Sequence, residues 1–271
     1  MNTKISEYKI RWNDFFKEWN ESPEEAYNKS VWNKNHNGKG KTELDPFSLP
    51  QPYLGNPENC SAITLNLNPG PTNDLRFHKN GILVSKFRNN ENYFEYAKDY
   101  PQMRLNEHPS HFWNNQFRWI DEIINNKNRE KLPFAIEICP WHSIKWKSLP
   151  QITEELENFI NSNVFEIITE AIKYSDLKTV LSVGKTYYDL FQNEFKEEFE
   201  NVIEFSPENH SELINITWPK NKKGNYSNRF FSVWKHKKTD IIYFNTYSRG
   251  SNKPPSNEWN EIQLYILKNY C

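Results

Sequence analysis

Apolar residues recur at helical spacing near the start of the chain and form short unbroken runs further along it. The spacing from Ile5 to Trp19 predicts one amphipathic helix that packs an aromatic face against a larger body. Ser22 followed by Pro23 and Glu25 is typical of the start of a second helix. The later apolar runs predict strands. These strands are Ile63–Leu67, Phe134–Ile138, Thr179–Val183 and Ile241–Phe244.

Helical segments separate the predicted strands, at about residues 111–126, 153–174 and 185–200. Alternation of this kind indicates a parallel sheet with helices on both faces. A late antiparallel hairpin is also predicted, from residues 229–235 and 240–245. We therefore expect an α/β fold of three layers around a central, mostly parallel four-stranded sheet. Residues 1–57 would form a helical extension, and residues 58–271 the main domain.

Composition narrows the class of protein. Of the 271 residues, 36% are hydrophobic and 15% aromatic, so the chain can bury a full core in which rings supply much of the contact area. Cys60, Cys139 and Cys271 lack metal-ligand spacing, which favours a reducing cytoplasm and argues against an iron–sulfur cluster or structural zinc. No apolar run is long enough to cross a membrane. We expect a cytoplasmic monomer that needs no cofactor or metal and does not contact membranes.

The net charge of −1 hides an asymmetry along the chain. Residues 154–208 are strongly acidic, whereas residues 218–253 contain one acid, Asp240, among nine basic residues. Aromatic residues alternate with these basic residues, a composition that suits phosphates and stacked bases. A solvated hairpin with lysines at its turn explains the charges equally well. The lysines assigned to DNA contact are Lys222, Lys223, Lys237 and Lys238.

Three predicted strands end in segments that suit a binding site. Asn66-Leu67-Asn68-Pro69-Gly70-Pro71 stops the first strand abruptly, because two prolines and a glycine cannot continue it. The second strand ends in Glu137-Ile138-Cys139-Pro140, and the last continues into Asn245-Thr246-Tyr247-Ser248-Arg249-Gly250-Ser251. Ligands of open α/β sheets bind at the carboxyl edge of the strands. We therefore expect these segments to meet at one rim.

These segments resemble motifs of the uracil-DNA glycosylase superfamily, in the right order over about residues 60–260. The Asn66–Pro71 segment is similar to the Gly-Met-Asn-Pro-Gly-Pro segment of its members. Glu137–Pro140 is similar to the Asn-Tyr-Cys-Pro segment of the single-strand-selective group. Asn245–Arg249 is a divergent version of the last motif of the mismatch-specific group. The resemblance implies a monofunctional glycosylase that flips a base out of DNA and leaves an abasic site.

Roles for individual residues follow from this resemblance. Asn68 would orient the attacking water with its amide oxygen, and Asn245 would face the departing base. Base contacts are assigned to Glu137 and to neighbours of the flipped base, namely Pro69, Gly70 and Phe77. DNA contacts beyond the lysines are assigned to the last motif, namely Tyr247, Ser248, Arg249 and Ser251.

Glu137 is the departure from the family pattern that bears most on the substrate. Uracil-specific relatives have asparagine at this position, since an amide both donates and accepts. An ionised carboxylate only accepts, so it would repel O4 of uracil and suit an amino group such as N4 of cytosine. Either Glu137 is protonated in the pocket or the base bears an amino group. A carboxylate turned aside into a structural salt bridge is the third explanation.

We expect excision of a cytosine-derived base. The resemblance implies a role in defence against phages with modified DNA, in a prokaryotic cytosol. The alternative enzyme is a conventional uracil or mismatch repair glycosylase. From a different class, the chain could be a non-catalytic protein that binds modified DNA.

Overall fold

The computed structural model describes residues 3–70, 92–98, 131–147, 152–175, 179–205 and 230–247. It also describes single positions at 113, 116–117, 120–121, 149, 177, 264–265 and 268–269. The chain forms two compact units. The first comprises residues 1–100 and 131–176, and the second comprises residues 101–130 and 177–271.

The described helices lie mostly in the first unit. In chain order the α-helices are α1 Lys4–Glu21, α2 Pro23–Lys29, α3 Val31–Asn35, α4 Tyr93–Ala97, α5 Glu154–Ile160, α6 Glu166–Ile172 and α7 Lys185–Asp189. A 3₁₀ turn covers Gly40–Thr42, and π-helical segments follow α5 and α7 at Asn161–Phe165 and Leu190–Glu194.

Seven strands occur in the described part of the chain: β1 Tyr53–Leu54, β2 Ile63–Asn66, β3 Phe134–Glu137, β4 Thr179–Val183, β5 Phe199–Phe205, β6 Phe230–His236 and β7 Ile242–Tyr247. In the first unit the order is β1-β3-β2, where β3 is parallel to β2 and antiparallel to β1. In the second unit the order is β4-β7-β6-β5. There β4 and β7 are parallel and the other pairs are antiparallel.

The first helix forms as its apolar spacing predicts. The Thr3 side chain accepts a hydrogen bond from the Ser6 backbone N–H and so caps the helix start. One face of α1 is buried, and its side chains are Ile5, Tyr8, Trp12, Phe16 and Trp19. The second helix begins at Pro23 as predicted, although the preceding Ser22 makes no side-chain capping bond. The helical extension therefore contributes core to the first unit, and its proposed boundary at residue 57 stays a prediction.

The α/β class is confirmed, while the strand composition differs from the prediction. All four predicted strands are present, and the predicted late hairpin forms as β6 and β7. The four predicted strands pair in parallel within each unit, β2 with β3 and β4 with β7, as expected. Three further strands, β1, β5 and β6, pair antiparallel, so the described strands number seven and are mixed in direction. Residues 199–200, predicted to end a helix, instead begin β5, which pairs with β6 along its length. Strand pairing overrides local helix preference in this acidic segment.

The helix predicted over residues 153–174 is confirmed at both ends, since α5 begins at Glu154 and α6 ends at Ile172. Periodicity did not reveal the π-helical segment between them. The helix predicted over residues 111–126 falls largely outside the described residues. Within the described ranges, every helix is too short or too polar to cross a membrane.

Candidate active site

The carboxyl ends of β2 and β3 hold the first group of predicted site residues. The two strands are parallel, with Asn66 paired in register with Glu137. Hydrogen bonds from the Ile138 and Cys139 N–H groups to the carbonyls of residues 66 and 67, both 3.0 Å, extend the pairing beyond the strands. This pairing brings the segment of residues 66–70 beside the segment of residues 137–143.

Gly70 lies at the end of the segment of residues 66–70 and has φ +73°, a left-handed conformation that glycine adopts without strain. The predicted base contacts Pro69 and Gly70 are both half-exposed. Among the described residues, no atom lies within 4 Å of the position that a Gly70 Cβ would take. Glycine is therefore required here by the turn of the backbone rather than by the close approach of a neighbour.

The Asn68 amide is oriented by two hydrogen bonds from its nitrogen. Nδ2 donates to Ser143 Oγ at 2.9 Å and, at a longer 3.4 Å, to the Trp141 carbonyl. Ser143 Oγ in turn donates to the Lys145 carbonyl at 2.9 Å, so it accepts from Asn68. Carbonyl oxygens only accept, which sets the direction of the whole chain of bonds. Oδ1 of the half-exposed Asn68 is left without a partner among the described residues and can accept from a water or ligand.

Ser143 and His142 are site residues that the sequence analysis missed. Both ring nitrogens of the buried His142 lie 2.9 Å from carbonyl oxygens, those of Gly70 and Leu49. In a neutral imidazole only one ring nitrogen carries a proton, so the tautomer decides which of the two contacts is a hydrogen bond. The His142 ring thus lies between the Gly70 turn and the segment before β1 and contacts a backbone carbonyl of each. The one sequence signal for these residues is their position: they lie two and three residues after Pro140, in the segment that follows β3.

Glu137 is buried, with 7% of its surface exposed. Its Oε1 accepts from Asn66 Nδ2 at 3.2 Å, and its Oε2 has no partner in the described part of the chain. Desolvation raises the pKa of Glu137 to about 8, although the bond from Asn66 opposes this shift. This shift favours the neutral carboxyl group at pH 7, and because Oε1 accepts from Asn66, Oε2 is the oxygen able to carry a proton. No salt bridge to Glu137 is found among the described residues.

The two cysteines within the described residues are buried free thiols. Burial raises the pKa of Cys60 to about 12, and it raises the pKa of Cys139 well above its ordinary value. Neither thiol is a nucleophile at neutral pH, since the thiolate is the reactive form. The part of the chain that the structure describes contains no cluster of three or more His, Cys, Asp or Glu residues that could hold a metal ion.

Asn245 lies in the second unit, on β7 opposite Ser182 of the parallel strand β4. Its Nδ2 donates to Ser182 Oγ at 3.0 Å and to the Gly184 carbonyl at 3.2 Å. The side chain is fully buried, and Oδ1 has no partner among the residues described. Both amide hydrogens are used inside the protein. In this arrangement the amide offers no free donor to a departing base, and its predicted catalytic role stays a prediction.

Lys237 and Lys238 occupy the turn between β6 and β7, and both are exposed. Lys237 Nζ donates to the Lys196 carbonyl at 2.9 Å, while the neighbouring Lys235 pairs with Asp240 at 2.7 Å. This turn matches the solvated hairpin that was one of the two explanations for the basic segment. Of Tyr247, only the backbone at the end of β7 is described. The other predicted contacts lie outside the described residues: Phe77, Lys222, Lys223, Ser248, Arg249 and Ser251.

Comparison of the chain with known protein families, with curated proteins and with solved structures gives no match. The geometry of the residues themselves is therefore the basis for any functional argument.

Proposed function

We propose that this protein is a DNA glycosylase that hydrolyses the N-glycosidic bond of a flipped base and leaves an abasic site. The observation that supports this most directly is the state of Asn68. Its amide nitrogen is held by Ser143 and Trp141. The residue is half-exposed just beyond the carboxyl end of a parallel strand, and its oxygen makes no hydrogen bond to the described residues.

An oriented acceptor of this kind suits the chemistry. Glycosidic bonds break through a transition state with oxocarbenium character, which needs little push from the nucleophile. An amide is a poor base, but it can hold a water in line with the sugar, and positioning alone lowers the barrier. Because its nitrogen is held by hydrogen bonds, the Asn68 side chain loses little conformational entropy when it positions the water.

Glu137 is the residue that would contact the base edge. Its Oε2 is buried, so this contact requires the neighbouring segments to open as the base enters. With the proton on Oε2, the neutral carboxyl group both donates and accepts. Either form of the carboxyl group can accept from N4 of a cytosine-type base, through an oxygen that carries no proton. We propose a cytosine-derived base as the substrate, as the carboxyl group at this position indicated from the sequence.

Uracil is a second candidate substrate, and the raised pKa of Glu137 is the observation that favours it. A neutral carboxyl can donate to O4 of uracil, whereas an ionised carboxylate would repel that oxygen. The two candidates differ in their dependence on pH. Activity on uracil should fall as Glu137 ionises above about pH 8, while activity on an amino-bearing base should hold because a carboxylate still accepts from N4.

Formation of abasic sites should be measured on plain, uracil-containing and cytosine-modified phage DNA, each at pH 6.5 and pH 9. Turnover on any of these substrates separates an enzyme from a protein that only binds modified DNA. The ratio of activities at the two pH values then identifies the class of base, and this ratio cancels general losses of activity. Absence of abasic sites on all substrates, with DNA binding intact, would contradict the proposal and favour the binding protein.

A further inference from the structure

The helical part of the first unit contains a pocket that the proposed reaction does not use. Its volume is about 250 Å³, and its walls include Trp12, Phe15, Trp141 and Phe159. Charged residues also line it, namely Arg11, Glu18 and Lys29. Pockets for small ligands combine apolar walls with a few oriented polar groups in this way.

Arg11 is held in place at this pocket. Its Nη2 donates to Asn163 Oδ1 at 2.9 Å, and Asn163 is itself buried and donates to the Phe159 carbonyl at 2.9 Å. Asn163 lies in the π-helical segment of residues 161–165. Such segments interrupt regular helices and often occur at functional sites. A fixed guanidinium with further donors suits an anion such as phosphate, which arginine binds through paired hydrogen bonds.

The charges along α1 give the pocket a polarity. Arg11 and Glu18 are seven residues apart, about 10 Å along the helix axis, with Phe15 between them on the same side. An anionic group at Arg11 and an amino group at Glu18 would place a flat ring beside Phe15. Aromatic side chains stack on any nucleobase, so ring, anion and amino group together describe a nucleotide.

We infer that this pocket binds one nucleotide whose base carries an exocyclic amino group, with the phosphate at Arg11 and the amino group towards Glu18. The source can be a free nucleoside monophosphate or a nucleotide within a DNA strand. Trp141 connects this pocket with the candidate active site. Its ring contacts Phe15 at a centroid distance of 5.9 Å, and its carbonyl accepts from the Asn68 amide.

Equilibrium dialysis of the full chain tests the inference with four probes: dAMP, dTMP, deoxyadenosine and the oligonucleotide (dA)₄. We expect saturable binding of dAMP, with dTMP weaker by several fold because thymine has no exocyclic amino group. Arg11→Gln should weaken binding of dAMP by about tenfold or more, since it removes a charge-assisted bond to phosphate. The same change should leave deoxyadenosine unaffected. Glu18→Gln should reduce the preference for dAMP over dTMP.

Lys17→Gln is the matched control, because Lys17 lies on the same helix, is 75% exposed and does not line the pocket. It should leave all affinities unchanged. Binding of (dA)₄ alone, weakened by Arg11→Gln, would assign the site to a DNA strand, whereas binding of dAMP would assign it to a free nucleotide. Asn68→Ala should retain binding at this pocket. The inference is overturned if no probe binds saturably, if Arg11→Gln and Lys17→Gln behave alike, or if Asn68→Ala alone abolishes binding.

Discussion

Asn68 and Asn245 are bonded in the same way, yet they differ in what they offer to a ligand. In each, the amide nitrogen donates to a serine hydroxyl and to a backbone carbonyl. Each serine hydroxyl in turn donates a hydrogen bond to another backbone carbonyl, Ser143 to that of Lys145 and Ser182 to that of Phe244. The oxygen of Asn68 belongs to a half-exposed side chain, whereas the oxygen of Asn245 is sealed from solvent. Residue type and bonding pattern therefore do not define a catalytic amide; access to its free oxygen does.

The two strand ends also differ in the unpartnered oxygen that each one buries. At the first it is Oε2 of Glu137, which can take up a proton, and at the second it is Oδ1 of Asn245, which cannot. Only the first strand end should therefore make stability depend on pH. The folded pKa of Glu137 is raised from 4.5 to about 8, so the unfolded chain binds fewer protons than the folded protein between these values. The contribution of Glu137 to stability therefore falls as pH rises through this window and is constant outside it.

Glu137→Gln should remove this dependence and give the largest effect. The free energy of unfolding of the wild type, relative to that of the variant, should fall by up to roughly 5 kcal/mol between pH 4.5 and pH 8. Denaturant unfolding at a series of pH values measures this difference. Asn245→Ala is the control from the second strand end, and its difference from wild type should not vary over the same range. Equal pH dependence of wild type and Glu137→Gln would show that the carboxyl group is ionised in the folded protein.

Asn68→Ala and Asn245→Ala compare the two amides directly. Asn68→Ala should lower the formation of abasic sites by at least ~10²-fold while DNA binding stays within a few fold, since the lost group acts in the transition state. Asn245→Ala should instead lower stability by about 1–3 kcal/mol, because the buried Ser182 hydroxyl and the half-buried Gly184 carbonyl both lose their amide donor. Single-turnover rates and thermal unfolding distinguish the two outcomes. A wild-type rate for Asn68→Ala would refute its role in positioning water.

The serine hydroxyls give a smaller version of the same comparison. Ser143→Ala should lower kcat by about tenfold with KM nearly unchanged, because the amide of Asn68 loses its shorter bond and is free to turn. Ser143→Thr keeps a hydroxyl and should restore most of the rate. Ser182→Ala should cost about 1 kcal/mol of stability and leave kcat within a few fold. If both alanine variants lower kcat equally, the distinction between the two strand ends fails.

Reversing the charge of Lys237 and Lys238 should give the smallest effect of these changes, and it should act on DNA affinity. If the basic segment binds DNA, reversing the charge of all four lysines, Lys222, Lys223, Lys237 and Lys238, weakens binding to every sequence. It also flattens the salt dependence by about one slope unit per lost phosphate contact. Binding at several salt concentrations measures this slope. Reversal of Lys4 and Lys34, two exposed lysines in ion pairs of the first unit, is the control. Unchanged affinity and slope would assign the turn to solvent and place the DNA contact elsewhere.

Much of the fold could be predicted from local pattern. The spacing of Ile5 to Trp19 gave α1, and four apolar runs gave β2, β3, β4 and the first half of β7. Such patterns suffice because amphipathic helices and buried strands must each present an apolar surface. The two-residue β1 and the acidic β5 were missed, because their strand conformation is stabilised by pairing with partners distant in sequence. The π-helical segments were missed for a different reason: a shift in helical hydrogen bonding leaves no periodic signal in the sequence.

The sequence alone determined the residue types at the strand ends: an asparagine before Pro69, a carboxyl group after an apolar strand, and cysteines without metal-ligand spacing. Tertiary structure decided how those groups behave. Burial beside Asn66 keeps Glu137 largely neutral, and Ser143 turns the oxygen of Asn68 outward, whereas burial seals Asn245. The physical reason is that protonation and hydrogen-bond capacity depend on the distance to partners and on access to water. Neither quantity is encoded in any short stretch of sequence, because both arise from segments brought together by folding.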